Sequence, residues 1–155
     1  MKLLIDGYNV THKIELLRGK KLQQQREELV NLLETAQANN KLLKEITIIF
    51  DGVTGIVVPA QKYSVIKVLF SQGKCADKKI KEILENSRHT RDITVVSDDR
   101  EVRAYVHSLG AKRISVDEFT QLLFSSCRKR ENFQLDAHDK VKINRELEQI
   151  WLKGK

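Results

Sequence analysis

The fold follows from MKLLIDGYNV, residues 1–10, where a short apolar run ends in an aspartate and a glycine. A buried strand that reaches the edge of a sheet and then turns has this pattern. The same change from apolar residues to an acid recurs at residues 46–52 and 93–99. If the three strands are parallel, their acids share the edge where open α/β sheets bind ligands. These acids are Asp6, Asp51 and Asp98.

Strand and helix patterns alternate along the rest of the chain, which predicts an α/β fold with a mostly parallel sheet. Further strands are predicted at residues 45–50, 64–70, 92–97 and 112–115. Helices are predicted at residues 22–39, 77–86 and 99–109, after the capping-box spacing of Ser115 and Glu118, and at residues 136–152. Residues 11–20 are predicted to be a loop, and residues 51–59 are predicted to be a loop or an irregular hairpin.

The composition is that of a globular protein with a basic surface. A chain of 155 residues is long enough for one domain with a sizeable core. The net charge of +7 and the pI near 9.4 favour a polyanionic partner, although many basic proteins have none. Cys75 and Cys127 lack partners at metal-binding spacing, which argues against a zinc site or a disulfide framework. Asp6 interrupts the first apolar run and no run reaches membrane-spanning length, so we expect a cytoplasmic protein with no membrane partner.

A basic triplet at residues 128–130 marks a change in composition near the end of the chain. It predicts a division into a domain of residues 1–127 and a tail of residues 128–155, which would hold a basic linker and an amphipathic helix. An apolar stripe on that helix is typical of a helix that folds back on its domain. A dimer contact or a docking helix is the alternative. The stripe consists of Ile143, Leu147, Ile150 and Trp151.

Each acid has an ordinary structural explanation when it is taken alone. Asp-Gly pairs form turns, Asp98 has the spacing of a helix cap, and Asp77 suits the first turn of a helix. Carboxylates that cluster, however, repel one another unless a cation neutralises them. The three strand-end acids with Asp77 nearby therefore predict a divalent cation, and an all-oxygen ligand set favours Mg²⁺ or Mn²⁺ over zinc.

The segment around Asp77 is strongly basic, since residues 61–91 contain eight basic and three acidic residues. A basic collar around an acidic site suits a phosphodiester backbone that is held by cations and cut by a metal-activated water. The alternative is a solvated helix face, which explains most lysine-rich helices. The candidate phosphate contacts are Lys74, Lys78 and Lys79, followed by Arg100 and Arg103.

Several short motifs lie in a fixed order between residues 3 and 119. They are residues 4–10, Arg26 with Leu29 and Leu33, residues 49–52, Ala76-Asp77 with Ile80, residues 95–98, and residues 110–115 followed by Phe119. Together they resemble the NYN domains of the PIN-like nuclease superfamily, and they are most similar to the YacP-like group.

The resemblance implies a PIN-like three-layer α/β/α sandwich and a Mg²⁺- or Mn²⁺-dependent ribonuclease, and we expect it to act as an endonuclease rather than an exonuclease. The family often carries an acid where this chain has Lys81. This difference favours the alternative of a non-catalytic RNA- or ribosome-binding module. By the resemblance, the catalytic and metal-binding acids are Asp6, Asp51, Asp77 and Asp98, with Asn9 and Ser97 as polar supports. Asp99, directly after Asp98, is a further candidate for a supporting residue.

Three other classes of protein with a similar fold fit the sequence poorly. A haloacid-dehalogenase-type phosphatase would need a second aspartate two residues after Asp6, where Tyr8 stands. A nucleotide triphosphatase would need a phosphate-binding Gly-x-x-x-x-Gly-Lys loop, which the sequence lacks. A response-regulator receiver would need paired acids after its first strand.

Overall fold

The computed structural model of the chain describes residues 1–52 and 65–134, with side chains as far as residue 127. Most of the predicted loop at residues 51–59 and the whole predicted helix at residues 136–152 lie outside the described residues. In the described part of the chain, no helix is long and apolar enough to cross a bilayer.

A five-stranded parallel sheet forms the centre of the described structure. Its strands lie in the order β3-β2-β1-β4-β5, and the predicted parallel sheet is confirmed. β1, β2 and β4 are apolar because helices cover both of their faces, as is usual for parallel sheets. The strands are β1 (Lys2–Asp6), β2 (Glu45–Phe50), β3 (Ile66–Phe70), β4 (Ile93–Val96) and β5 (Lys112–Ile114).

Helices cover the two faces of the sheet and complete a three-layer α/β/α sandwich, as predicted. One core lies beneath α1, α2 and α5, where Leu29 and Leu33 pack against residues of the sheet. The other lies beneath α3 and α4, where Ile80 and Val102 pack against the opposite face. The helices are α1 (Gly7–Lys13), α2 (Leu22–Asn39), α3 (Ala76–Glu85), α4 (Arg100–Ser108) and α5 (Val116–Gln134).

The predicted loop at residues 11–20 is wrong, because α1 begins directly after β1 and is followed by a short 3₁₀ helix, Glu15–Leu17. The helix starts early because the Asp6 side chain caps it. Val10, Ile14 and Leu17 are all buried in the core beneath α2. Their spacing of four and three residues is the helical signal in the sequence.

The start of α5 agrees with the predicted capping box. The Ser115 backbone N–H donates to Glu118 Oε2 at 2.8 Å, and the Glu118 N–H donates to Ser115 Oγ at 3.1 Å. The helix then continues to Gln134, so the basic triplet at residues 128–130 lies within a helix. The division of the chain at residue 127 stays a prediction.

Candidate active site at the carboxyl edge of the sheet

The strand order reverses at β1, which has β2 on one side and β4 on the other. In α/β sheets, the crevice at such a reversal is the usual ligand site. Ile5 pairs with Val96 and Asp6 pairs with Ile49, so β1 ends level with its two neighbours. The chain continues from those neighbours into Asp51 and Ser97, which brings the predicted acids to one edge.

Asp6 lies at the centre of this edge, as both the last residue of β1 and the N-cap of α1. It is only 8% exposed, and it accepts hydrogen bonds from the backbone N–H (3.4 Å) and the side-chain amide (3.3 Å) of Asn9. Burial raises the pKa of Asp6 from 3.8 to about 6, with further contributions from the charges of Asp51 and Asp77, while the bonds from Asn9 lower it. The carboxylate is therefore buried in a field of like charge.

Gly7 allows the chain to turn immediately after Asp6. A Cβ at this position would lie 2.3 Å from Cε1 of Phe50, whose ring is fully buried. Since any larger residue would displace this ring, glycine is required here by close packing.

Asp51 follows β2 and joins the acidic edge to α3. Its Oδ1 accepts a hydrogen bond from the backbone N–H of Ala76, the first residue of α3, and one from the Ser71 hydroxyl at 3.5 Å. The same hydroxyl accepts a hydrogen bond from the Gly52 N–H at 3.2 Å. Because Asp51 binds the start of α3, it lies beside the first turn that carries Asp77.

Asp77 is half-buried, and its backbone is held by α4. Its carbonyl accepts a hydrogen bond from the Tyr105 hydroxyl. Burial raises the pKa of Tyr105, and the charges of Asp77 and Asp99 raise it further, so the phenol keeps its proton. This bond fixes the start of α3 against α4.

Asp98 is connected to Asp6 through Asn9, whose Oδ1 accepts the Asp98 backbone N–H at 3.3 Å. Its carboxylate, however, accepts the N–H of Val116 at 3.0 Å and lies 3.5 Å from the Lys13 ammonium. The two carboxylate oxygens of Asp98 thus connect the turn after β4 with the start of α5, through Val116, and with α1, through Lys13.

The alternative explanation of Asp98 as the cap of α4 is wrong, because Asp99 caps that helix. Asp99 accepts hydrogen bonds from the N–H groups of Glu101 (2.7 Å) and Val102 (3.3 Å). Ser97 is fully buried, and its hydroxyl accepts the N–H of Asp99 at 3.2 Å. Asp99 and Ser97 therefore order the turn that leads from β4 into α4.

The acids present fit a hard cation only in part. The charges of Asp51 and Asp77 both act on Asp6, and the three side chains offer only oxygen ligands. Asp51 uses Oδ1 for both of its hydrogen bonds. Within residues 1–52 and 65–134, however, no three acidic, histidine or cysteine side chains are arranged to hold a metal ion.

The candidate phosphate contacts lie on both sides of Asp77. Lys78 is exposed and has no ion-pair partner among the described residues, whereas Lys74 and Lys79 both pair with Glu82, at 3.8 and 3.1 Å. Lys81, at the position where the family often has an acid, is exposed and lies 3.8 Å from Glu85. Arg100 and Arg103 are exposed on α4.

The structure also shows a cluster of three aromatic rings around the guanidinium of Arg26, which the residue pattern did not predict. The Arg26 side chain donates to the Tyr8 hydroxyl through Nε, at 3.1 Å, and through Nη2. Its guanidinium lies 5.6, 5.5 and 5.0 Å from the ring centres of Tyr8, Phe50 and Phe70. The sequence gives two signals for this cluster: Arg26 is one of the motifs that carry the family resemblance, and all three aromatic residues stand within two positions of a strand end.

A parallel α/β/α sandwich with aspartates at the carboxyl edge of its sheet is the arrangement expected of the PIN-like class. A sequence model of the YacP-like NYN domain matches residues 3–153, and the chain belongs to this family. NYN domains are of nuclease type, and their nucleases generally depend on a divalent metal, so the family supports a ribonuclease in general.

Solved structures show the same fold. One crystal structure of Rae1 (YacP) from Bacillus subtilis is similar with a TM-score of 0.71 and 21% identity, over 99% of this chain and 88% of that chain. The structure of its W164L mutant is similar with a TM-score of 0.69 and 23% identity, over 85% of this chain and 80% of that chain. A search of curated proteins found no match.

Proposed function

We propose that the protein is a metal-dependent ribonuclease that hydrolyses phosphodiester bonds of RNA at the acidic edge of its sheet. One observation carries the proposal: the Asp6 carboxylate is buried at the reversal of the strand order, in the field of Asp51 and Asp77. Burial of an ionised carboxylate costs free energy when the group is unpaired, and a bound cation offsets that cost. Catalytic sites are where burial and like charges commonly shift a pKa in this way.

Asp6, Asp51 and Asp77 would hold Mg²⁺ or Mn²⁺, with Asp98 as the fourth acid. When bound, the divalent ion supplies charge stabilisation at the phosphate and lowers the pKa of a water molecule. Asn9 fixes both oxygens of Asp6 and reaches the backbone of Asp98. Its role is to orient the carboxylates before the substrate binds.

The exposure of the acids supports endonucleolytic cleavage. Asp51 is exposed and Asp77 is half-buried, so the edge is open to solvent at these two residues. An RNA strand can lie across such an edge without a free end. Exposed Lys78, Arg100 and Arg103 would contact phosphates of that strand.

A second candidate function is a non-catalytic RNA-binding module of the same fold. It is favoured by the pairing of Asp98 with Lys13, by Lys81, and by the lack of three converging acids among the described residues. Ribosome association, a dimer formed through the predicted C-terminal helix and a cytoplasmic location stay predictions.

A circular single-stranded RNA separates these possibilities. The wild-type protein should cut it in Mn²⁺ and not in EDTA, and Asp6→Asn should reduce the rate by several orders of magnitude. Asp92→Asn, an exposed aspartate where the chain enters β4, is the matched control and should cut normally. Equal cleavage by Asp6→Asn and the wild type would contradict the assignment of the site. Binding without any cleavage would favour the non-catalytic module, and cleavage of linear RNA alone would indicate an exonuclease.

A further inference from the structure

A pocket of about 340 Å³ opens at the outer edge of the sheet, between the end of β3 and α3. Its apolar wall comes from β3 and includes Leu69 and Phe70, and Gln72, Lys74, Lys79 and Glu82 add polar groups. This volume is near the lower end for small-molecule pockets, so it suits one nucleotide rather than a stretch of strand.

The pocket lies next to the acidic edge. Ser71 lines it and also donates a hydrogen bond to Asp51 at 3.5 Å. An RNA strand whose phosphate lies at the acids can therefore place a neighbouring nucleotide in the pocket.

Gln72 has a backbone conformation that is unusual for its residue type. Its φ is +51°, in the left-handed region that non-glycine residues rarely adopt, and its N–H donates to the carbonyl of Gly52 at 2.9 Å. Strain of this kind tends to occur at functional sites. The exposed side chain lines the pocket, and its amide offers both a donor and an acceptor, as the edge of an unpaired base requires.

The charge at the pocket matches a phosphate. Lys74 and Lys79 share a single carboxylate, that of Glu82. Two ammonium groups with one carboxylate leave a net charge of +1 among these side chains, and a phosphodiester carries one negative charge.

We propose that this pocket binds one unpaired nucleotide of the RNA substrate, with its base against the β3 wall and the Gln72 amide, and its phosphate at Lys74 and Lys79. The inference rests on the proposed function in one respect, that the nucleotide belongs to the strand that is cut. It gives the enzyme a preference for one base next to the cut.

Binding of short fluorescent RNA in EDTA tests the pocket without cleavage. Oligonucleotides that differ at one position should bind the wild type with different affinities, and Gln72→Gly should reduce this difference by roughly five- to tenfold, the effect of about one hydrogen bond. Gln72→Gly also relieves the left-handed backbone, so a loss of fold cannot explain the result. Gln72→Asn tolerates the same backbone with a shorter amide and should also lose the preference.

Lys74→Ala should instead weaken binding of all sequences alike and reduce the salt slope by about one. Lys41→Ala, an exposed lysine before β2, is the matched control and should change neither quantity. Unchanged base preference in Gln72→Gly together with an unchanged salt slope in Lys74→Ala would overturn the pocket, even if the protein cuts RNA. If Gln72→Gly reduces the base preference and Lys74→Ala reduces the salt slope, but the protein does not cut RNA, the result would support the pocket and refute only the nuclease.

Discussion

Removal of the Asp6 charge should stabilise the metal-free protein above pH 6. Burial, with the charges of Asp51 and Asp77, raises the Asp6 pKa from 3.8 to about 6. A shift of this size corresponds to about 3 kcal/mol of unfavourable free energy for the ionised group in the folded state. In Asp6→Asn the amide oxygen still accepts the Asn9 N–H, and the second bond from Asn9 is lost at a cost of about 1 kcal/mol. The net expected gain is about 2 kcal/mol.

The stability gained by Asp6→Asn should depend on pH. Because the folded-state pKa of Asp6 is raised, the folded protein binds the proton more tightly than the unfolded chain does. The destabilisation is therefore absent below pH 3.8, grows as the pH rises towards about 6, and is constant above that. Asp6→Asn should equal the wild type or be slightly less stable at pH 4, and be clearly more stable at pH 8.

Thermal unfolding in EDTA measures the effect at both pH values. For a chain of this size, about 2 kcal/mol corresponds to a rise in Tm of about 4 to 8 °C at pH 8. Asp92→Asn, which removes an exposed aspartate, should leave Tm within about 1–2 °C, as surface changes usually do. An Asp6→Asn variant with the wild-type Tm at pH 8, or with the same gain at pH 4, would refute the burial argument.

Three further changes test the surroundings of the site. Gly7→Ala should destabilise the protein by about 1–3 kcal/mol, because a Cβ would overlap the Phe50 ring, and urea unfolding would show it; an unchanged midpoint would contradict the packing. Lys13→Ala removes the ammonium that pairs with Asp98. If Asp98 is a metal ligand, calorimetry should show that Mn²⁺ binds up to about fivefold more tightly to this variant. An unchanged affinity would mean that Asp98 only stabilises the start of α5. Arg26→Lys should lower stability by about 1–2 kcal/mol in the same urea experiment, since an ammonium cannot stack on three rings while it donates two hydrogen bonds to the Tyr8 hydroxyl. Wild-type stability of this variant would show that the stacking contributes nothing.

The sheet and its acidic edge could be predicted because local signals determine them. Each apolar run ends where its strand ends, so the register of β1 with β2 and β4 brings Asp6 and Asp51 to one edge. The capping box of α5 was predictable for the same reason, since Ser115 and Glu118 are three residues apart. Asp77 could be predicted because it stands at the start of a helical pattern, and the first turn of α3 places it beside Asp51.

Features that depend on contacts between distant segments could not be predicted from the sequence. The Asp98 carboxylate binds Val116, 18 residues further on, and its pairing with Lys13 requires α1 and α5 to be adjacent. The Arg26 cluster depends on the rotation of α2 over the ends of two strands. The 7-residue α1 was missed because its first residues belong to the strand-end motif.

Diffraction from a Mn²⁺-soaked crystal tests the central claim, a cation site at the carboxyl edge of the sheet, most directly. Data collected at the manganese absorption edge should show an anomalous peak against the carboxylates of Asp6, Asp51 and Asp77, and an Asp6→Asn crystal soaked in the same way should lack it. A wild-type crystal without a peak at this edge at saturating Mn²⁺, or a peak that persists unchanged in Asp6→Asn, would contradict the proposal that these acids form a metal-dependent nuclease site.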